Sequence, residues 1–425
     1  MKFSELAERI SAPLIVVIFL IATIEQFYNS LFWGHNNWCM TECLINYAGG
    51  FVRRGLPGEL ALSVSSISGI SPNVIIVIVC FLLLVGLILF YCRKVTRKMP
   101  AFLIFSPIVL GIPAFNDFLV RKDTLCIAIL ILCLIIEKTK YPILIKNILI
   151  NLLGITAILS HEGFIFYGFL SIIAYRYFQS EKKLINIIIS FSPMILTFAI
   201  SSIYHGDELT ALAINKSLVS VWHSIDPSDK DINFPSCAIT SLKYSLTNCP
   251  WMGYSVFWEI SYHIYTPIAW LATVIICYGY LLEFIVVNPS ETNGVISSLE
   301  VEKSRLFVIL TAQLIFISPL FMIGWDYGRW IFLWTASSLA IYLLGLNWND
   351  QILLKVTTYV AGFQKKIRLP WTPQKWHLLF FGIPVCSWSV FSYLHATPLG
   401  NQVDFIYQSL FHKTFFNYST FFPLK

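Results

Sequence analysis

Long apolar runs separated by short polar turns recur along the chain from Ile10 to about His395. A helix needs roughly 20 apolar residues to cross a hydrocarbon core of about 30 Å, and a sliding window finds eleven candidate runs. They fall near Ile10–Trp33, Val74–Cys92, Ala101–Phe115, Thr124–Ile136, Pro142–Ser160, Phe164–Phe178, Leu184–Tyr204, Tyr265–Val287, Leu306–Gly324, Trp330–Asn347 and Trp376–His395. The third, fourth and sixth are short, so each is expected to tilt little or to end in a water-filled cavity below the membrane surface. The first is longer than a signal-peptide core and lacks a small-residue cleavage site, so it reads as a retained helix. The pattern predicts an all-α polytopic transmembrane bundle of about eleven spans, with residues 1–425 forming one integral membrane domain. Three larger pieces lie on one side: residues 34–73, residues 205–264 between the seventh and eighth spans, and the tail 396–425. The first two mix aromatic, polar and Gly/Pro residues, as interfacial helices and turns do.

Composition sharpens this picture. The chain is 57% hydrophobic and only 12% charged, with a mean hydropathy of +0.71. Soluble domains carry about 25% charged residues, so a soluble enzyme is excluded. The formal charge of +6 is dispersed along the chain, which does not make a nucleic-acid footprint. Its distribution between loops sets orientation. With the N-terminus in the cytoplasm, 19 of the 29 basic residues lie on the inner side, which satisfies the positive-inside rule. Eleven spans then place the C-terminus outside.

Two features of the spans and loops bear on shape. Three outward-running spans share a Ser-Pro step, at Ser106-Pro107, Ser192-Pro193 and Ser318-Pro319. A mid-span proline frees a carbonyl and kinks the helix, so these helix tops are expected either to splay around a shared cavity or simply to reflect the tolerance of membrane helices for proline. Of the ten cysteines, Cys237 and Cys249 are spaced to close a short outer loop in an oxidising compartment. Cys39 and Cys43 stand four residues apart on a helix and are too poorly oriented to bond, and no His/Cys spacing suggests zinc.

Ionisable residues concentrate in the outer turns. The first outer loop contains Gly49-Gly50-Phe51-Val52-Arg53-Arg54-Gly55-Leu56-Pro57-Gly58-Glu59. Two adjacent arginines among glycines suit close approach to phosphate oxygens, which a guanidinium fork binds two at a time; contact with lipid headgroups is the plainer alternative. Later outer turns carry Asp117, Arg121, Lys122 and Asp123, then His161-Glu162, then Asp326 and Arg329. Asp117–Arg121 and Asp326–Arg329 are spaced to pair locally, and His161 to cap a helix. Together they put anion binders and candidate bases on one face of the membrane, where ionisable groups are costly and mark a functional site or a buried pair.

These groups resemble those of the bacterial multi-span glycosyltransferases of surface-polysaccharide assembly, broadly the GT-C class and especially the O-antigen or capsule polymerases. The resemblance rests on the many-span plan, the large late outer loop, and the outward Gly-Gly-Phe-Val-Arg-Arg-Gly, Arg121-Lys122-Asp123, His161-Glu162 and Asp326–Arg329 groups. It implies sugar or oligosaccharide transfer from a polyprenyl (di)phosphate donor to a glycan acceptor, on the outer face of the cytoplasmic (inner) membrane, without metal or cofactor. Arg53, Arg54, Arg121, Lys122, Asp123 and Arg329 would then bind phosphate or sugar, with Asp326, His161, Glu162 and Asp117 as catalytic candidates. Polyprenyl-monophosphate-dependent GT-C enzymes have an acidic motif soon after the first span. Here that loop holds only Glu42 and Glu59, which favours the polymerase. A lipid or sugar transporter is the alternative from another class; it would need polar groups through the mid-membrane and an inverted repeat.

Overall fold

A computed structural model describes residues 3–32, 37–95, 103–114, 119–179, 183–221, 237–245, 248, 271, 273–275, 277–279, 281–282, 298–324 and 326–345. All regular structure among them is helical. The main helices are α1 (Phe3–Phe32), α2 (Asn37–Leu44), α3 (Leu56–Ser68), α4 (Pro72–Val95), α5 (Lys122–Lys138) and α6 (Ile143–Ser160). They are followed by α7 (Leu170–Gln179), α8 (Leu184–Ser190), α9 (Ser192–Ile203), α10 (Glu208–Ser217), α11 (Ser298–Ile323) and α12 (Tyr327–Leu344).

Pro13–Phe32, Pro72–Lys94, Ile143–Ser160 and Val301–Ile323 are long and apolar enough to cross a bilayer, and α8 with α9 makes a fifth crossing if that bent pair is one span. Large apolar side chains on these helices point away from the protein, among them Ile24, Leu82, Leu89, Leu152, Ile315 and Met322. Faces of this kind, exposed along several helices, require a lipid solvent. The chain is therefore a helical membrane protein.

Of the other expected runs, Thr124–Ile136 and the described part of Trp330–Asn347 fall on the regular helices α5 and α12, and two more are less regular than a hydropathy window implies. Within Ala101–Phe115, residues 103–114 form a turn, a π-helical turn at Pro107–Gly111 and a short piece at Ile112–Ala114. Pro107 has no N–H, and the Ser106 carbonyl accepts from the backbone of Val109, Leu110 and Gly111. Phe164–Phe178 likewise divides into a π-helical turn at Ile165–Phe169 and α7. Ser192-Pro193 marks a 61° bend between α8 and α9, whereas α11 continues through Pro319. Only parts of Tyr265–Val287 and of the loop 205–264 are described; Trp376–His395 and the tail 396–425 lie outside the described residues.

The core is built around α12, in which every residue except Leu343 is buried. It packs on α11, α5 and the π-helical turn at Pro107–Gly111. In an apolar solvent, hydrogen bonds between helices supply orientation that hydrophobic burial cannot. Gln313 on α11 provides one such link, donating to Ser337 of α12 at 2.8 Å and accepting from Ser171 of α7 at 2.7 Å. Trp334 adds another, its indole donating to the Leu310 carbonyl at 2.7 Å.

A second apolar cluster forms a cap where α2 and the loop after it meet α10 and residues 237–245. Met40, Cys43 and Leu44 of α2 pack there with Val52, with Ala211 and Ile214 of α10, and with Ile239 and Leu242. Polar links tie the layers together: Asn46 donates to Ser217 at 3.0 Å, and the Ala238 amide to the Thr41 hydroxyl at 3.2 Å. This cap forms the roof of the site.

Candidate functional site

The charged turns singled out above converge beneath this cap, although up to 206 residues separate the partners. Arg53 and Arg54 arrive on the loop between α2 and α3. Arg121, Lys122 and Asp123 open α5, His161 and Glu162 follow α6, and Asp326 and Arg329 open α12. Glu42 of α2 lies in the middle. Asp117 lies outside the described residues, as does the Asp117–Arg121 pairing expected from spacing.

Five cations thus face four carboxylates. Arg54 Nε and Nη2 grip Glu162 at distances of 2.6–3.1 Å, while its Nη1 reaches Glu42 Oε1 at 3.2 Å. Arg329 makes a two-nitrogen fork on Asp123, at 2.6 and 2.9 Å, and stands 3.9 Å from Glu42 Oε1. Asp326 Oδ2 is 3.4 Å from Arg121 Nη1 and 3.5 Å from Arg329 Nη1. The local i, i+3 pair expected from the sequence is therefore present but loose, and the tight partner of Arg329 is on another helix. Lys122 Nζ donates to the Arg54 carbonyl at 2.9 Å.

Backbone geometry sets up these contacts. Arg54 has φ +64°, in the left-handed region that non-glycine residues seldom occupy, at a cost of order 1–3 kcal/mol. Its carbonyl meets Lys122 and its side chain meets Glu162, so the strained residue links α5 to the turn after α6. Two of the neighbouring glycines serve packing. A Cβ at Gly55 would stand 2.3 Å from the Tyr47 ring, and one at Gly58 2.2 Å from the Ile45 carbonyl oxygen. The expectation that they let backbone approach a ligand gives way, at these two positions, to close contact between α3 and the end of α2.

Arg53 is committed differently from its neighbour. Its Nη2 donates to the carbonyls of Ser241 and Tyr244, at 3.0 and 2.9 Å, and Nη1 lies 3.6 Å from Glu162. It therefore ties the segment 237–245 to the site. Glu42, Ser241 and Tyr244 are the residues that motif reasoning passed over. Glu42 is a single acid in an otherwise uncharged short helix, and only its surroundings distinguish it.

The charges shift one another's titration. Burial alone would raise the Glu42 carboxyl, but the charges of Arg329 and Arg54, with Arg121 behind them, hold it well below the usual carboxylate range. Burial likewise works against ionised Glu162 and is outweighed by Arg54 and Arg53. The same carboxylates, Glu162 above all, hold the Arg54 guanidinium above its usual value against the effect of burial. His161 behaves oppositely: burial first, then the charges of Arg54 and Arg329, lower it to about 3. It is neutral at physiological pH.

The sign of the pH effect on stability follows. A folded pKa below the unfolded value of about 6.5 means that the folded state binds fewer protons, so stability present above pH 6.5 is lost as pH falls toward 3. Glu42 and Glu162 are also depressed, but their loss begins only below an unfolded value of about 4.3. Between pH 6.5 and 5 the His161 contribution, on the order of 2 kcal/mol, is separable. Melts of the purified protein should show this acid-induced loss in wild type and a smaller one in His161→Gln. Parallel curves would contradict a buried neutral imidazole.

A cavity of about 180 Å³ opens against the cluster. Its lining is ionic at Glu42, Arg53, Arg54, His161, Glu162, Asp326 and Arg329, and largely apolar at Phe166, Leu320, Ile323 and Trp330. Arg121, Lys122 and Asp123 do not line it and act through Asp326, Arg54 and Arg329. Of the three Ser-Pro helices, only α11 contributes lining residues, so a cavity shared by all three tops is not what forms among the described residues. There, no three His, Cys, Asp or Glu side chains converge as metal ligands. Asp326 is the most accessible carboxylate of the cluster, its side chain 28% exposed, and only its Oδ2 is held by the arginines. No protein-family model, curated protein or solved structure matches the chain.

Proposed function

We propose that the chain is an integral membrane glycosyltransferase with its site on the extracytoplasmic face, transferring a sugar or oligosaccharide from a polyprenyl (di)phosphate donor to an acceptor glycan. The observation that carries this reading is the meeting of a guanidinium cluster and a partly exposed aspartate on one cavity. Arg54 and Arg329 stabilise the phosphate as negative charge develops on it, with Arg53 and Arg121 completing the field. Because these cations are already matched by carboxylates, the donor must share or displace the acids, Glu162 foremost. Asp326 takes the acceptor proton, since Asp123 and Glu162 have both oxygens engaged by arginines. The charge cluster is expensive to bury and is a poor source of stability, which favours a functional role.

Glu42 supports a second reading. A fully buried acid from the first outer loop at the centre of the cluster is what a polyprenyl-monophosphate-dependent GT-C enzyme would carry, so the small number of acids in that loop no longer argues against this class. Against transport stands the mid-section of α12, where Thr335, Ser337 and Ser338 bond to carbonyls of their own helix inside a packed core.

The full topology of this proposal has eleven spans, a cytoplasmic N-terminus and an external C-terminus. Reporter fusions check it: a tag after Lys425 that reports cytoplasm would invert the face of at least the last span. The chemistry is tested in cells lacking the chain, where re-expression should restore a longer surface glycan. Arg54→Lys keeps the charge but loses the fork on Glu162 and on phosphate, and should cut product at least about tenfold at normal expression. Unchanged glycan, or glycolipid translocation without glycan extension in proteoliposomes, would replace the transferase by the transporter or by a non-catalytic role.

A further inference from the structure

The cavity holds two polar groups that the ion-pair network leaves out. His161 Nε2 and Trp330 Nε1 are buried, have no hydrogen-bond partner among the described residues, and belong to residues lining the cavity. His161 is 5% exposed and Trp330 5%. Orphan buried donors are rare and costly, and a pair on one cavity calls for an acceptor that the described residues do not supply.

The tautomer of His161 is set by its own turn. The Gly163 amide donates to Nδ1 at 3.1 Å, so Nδ1 is the acceptor and the proton of the neutral ring sits on Nε2. A Cβ at Gly163 would stand 2.9 Å from Nδ1, so the glycine is what permits this turn. The groups facing the ring are Glu42 of α2, Arg54 of the first loop, the adjacent Glu162, and Arg329 of α12. Glu42 Oε1 lies 3.6 Å from Nε2, too far for a hydrogen bond. Trp330 is a donor only, and its ring is held by Arg329, whose Cζ stands 5.0 Å from the ring centroid. Gly324 keeps that side open, for a Cβ there would meet the ring at 3.1 Å.

We infer that His161 and Trp330 form a neutral donor pair for phosphoryl oxygens in this cavity, His161 giving the Nε2–H of a fixed tautomer and accepting no proton. The pair deepens the transferase reading above and rests on its phosphate site. Two uncharged donors add hydrogen bonds to an anion whose charge is already met by guanidiniums, without adding further repulsion among those cations. They also separate roles: Asp326 moves the proton, and His161 with Trp330 holds the oxygens.

Side-chain amides distinguish the two ring nitrogens, because Gln places an N–H where Nε2 stands and Asn places its amide where Nδ1 stands. Binding of inorganic diphosphate to the purified full-length protein in nanodiscs is measured by calorimetry. His161→Gln should bind within a few-fold of wild type, while His161→Asn and Trp330→Phe should each bind about ten- to a hundredfold more weakly. A ring needed only to accept from Gly163 predicts the reverse order, with Asn tolerated and Gln not, and overturns the inference. So does wild-type affinity in all three variants, which leaves the phosphate site itself standing. Absence of diphosphate binding in wild type removes the phosphate site and this inference with it. Since a variant that misfolds would also lose affinity, ¹⁵N spectra of histidine-labelled wild type give a second readout. A His161 ring protonated at Nε2 and unchanged from pH 8 to 5 supports the pair, and one that titrates near 6.5 overturns it.

Discussion

Replacing Glu42 by Gln is expected to destabilise the folded protein by about 3 kcal/mol, the largest effect of any isosteric change in the charged cluster. The side chain is fully buried and stands against Arg54, Arg329 and His161, at 3.2, 3.9 and 3.6 Å. Removing one charge from such an assembly leaves the guanidiniums to repel one another in a poorly solvated site, and the surviving acids Asp123 and Glu162 are already occupied. Denaturant titration of the purified protein measures the loss. Glu59→Gln is the reference: Glu59 is only part-buried and accepts from the Tyr47 amide at 3.1 Å, so its change should cost no more than about 1.5 kcal/mol. Equal effects at the two positions would mean that Glu42 is not the centre of the network. If Glu42→Gln is stable and yet abolishes product, the monophosphate-dependent reading is preferred to the polymerase.

Asp326→Asn should lower glycan product about 10²–10⁴-fold while diphosphate binding stays within a few-fold of wild type. The split follows from geometry. Asp326 Oδ2 contacts Arg121 and Arg329 only at 3.4 and 3.5 Å, so the amide disturbs the cluster little and slightly frees both cations for an anion. What it removes is the most accessible carboxylate among the described residues that line the cavity. Product formation at the wild-type level in Asp326→Asn would transfer the base role elsewhere, and a parallel collapse of binding would make the residue part of the anion site.

The local sequence determined which segments are apolar enough to meet lipid and where the ionisable residues concentrate. Hydropathy belongs to each residue and sums along a run, so α1, α4, α6 and α11 were legible without coordinates. The cost of an ionisable group near a membrane is local too, and it marked Arg53, Arg54, Arg121, Lys122, Asp123, His161, Glu162, Asp326 and Arg329. Neighbours in sequence were a poor guide to partners. Spacing paired Arg329 with Asp326, whereas its fork closes on Asp123, 206 residues away, because α5 and α12 begin side by side. Glu42 carried no signal of its own, since its importance lies wholly in what surrounds it. The glycines around Arg54 looked like freedom for a ligand, yet Gly55 and Gly58 are filled by Tyr47 and the end of α2. The π-helical turns and the 61° bend were equally hidden, because a window averages over a run and is blind to where a freed carbonyl finds its donor. Burial and charge type are written residue by residue; pairing, tautomer and cavity shape depend on side chains brought together from distant segments, and only the packing of α2, α5, α6 and α12 decides those.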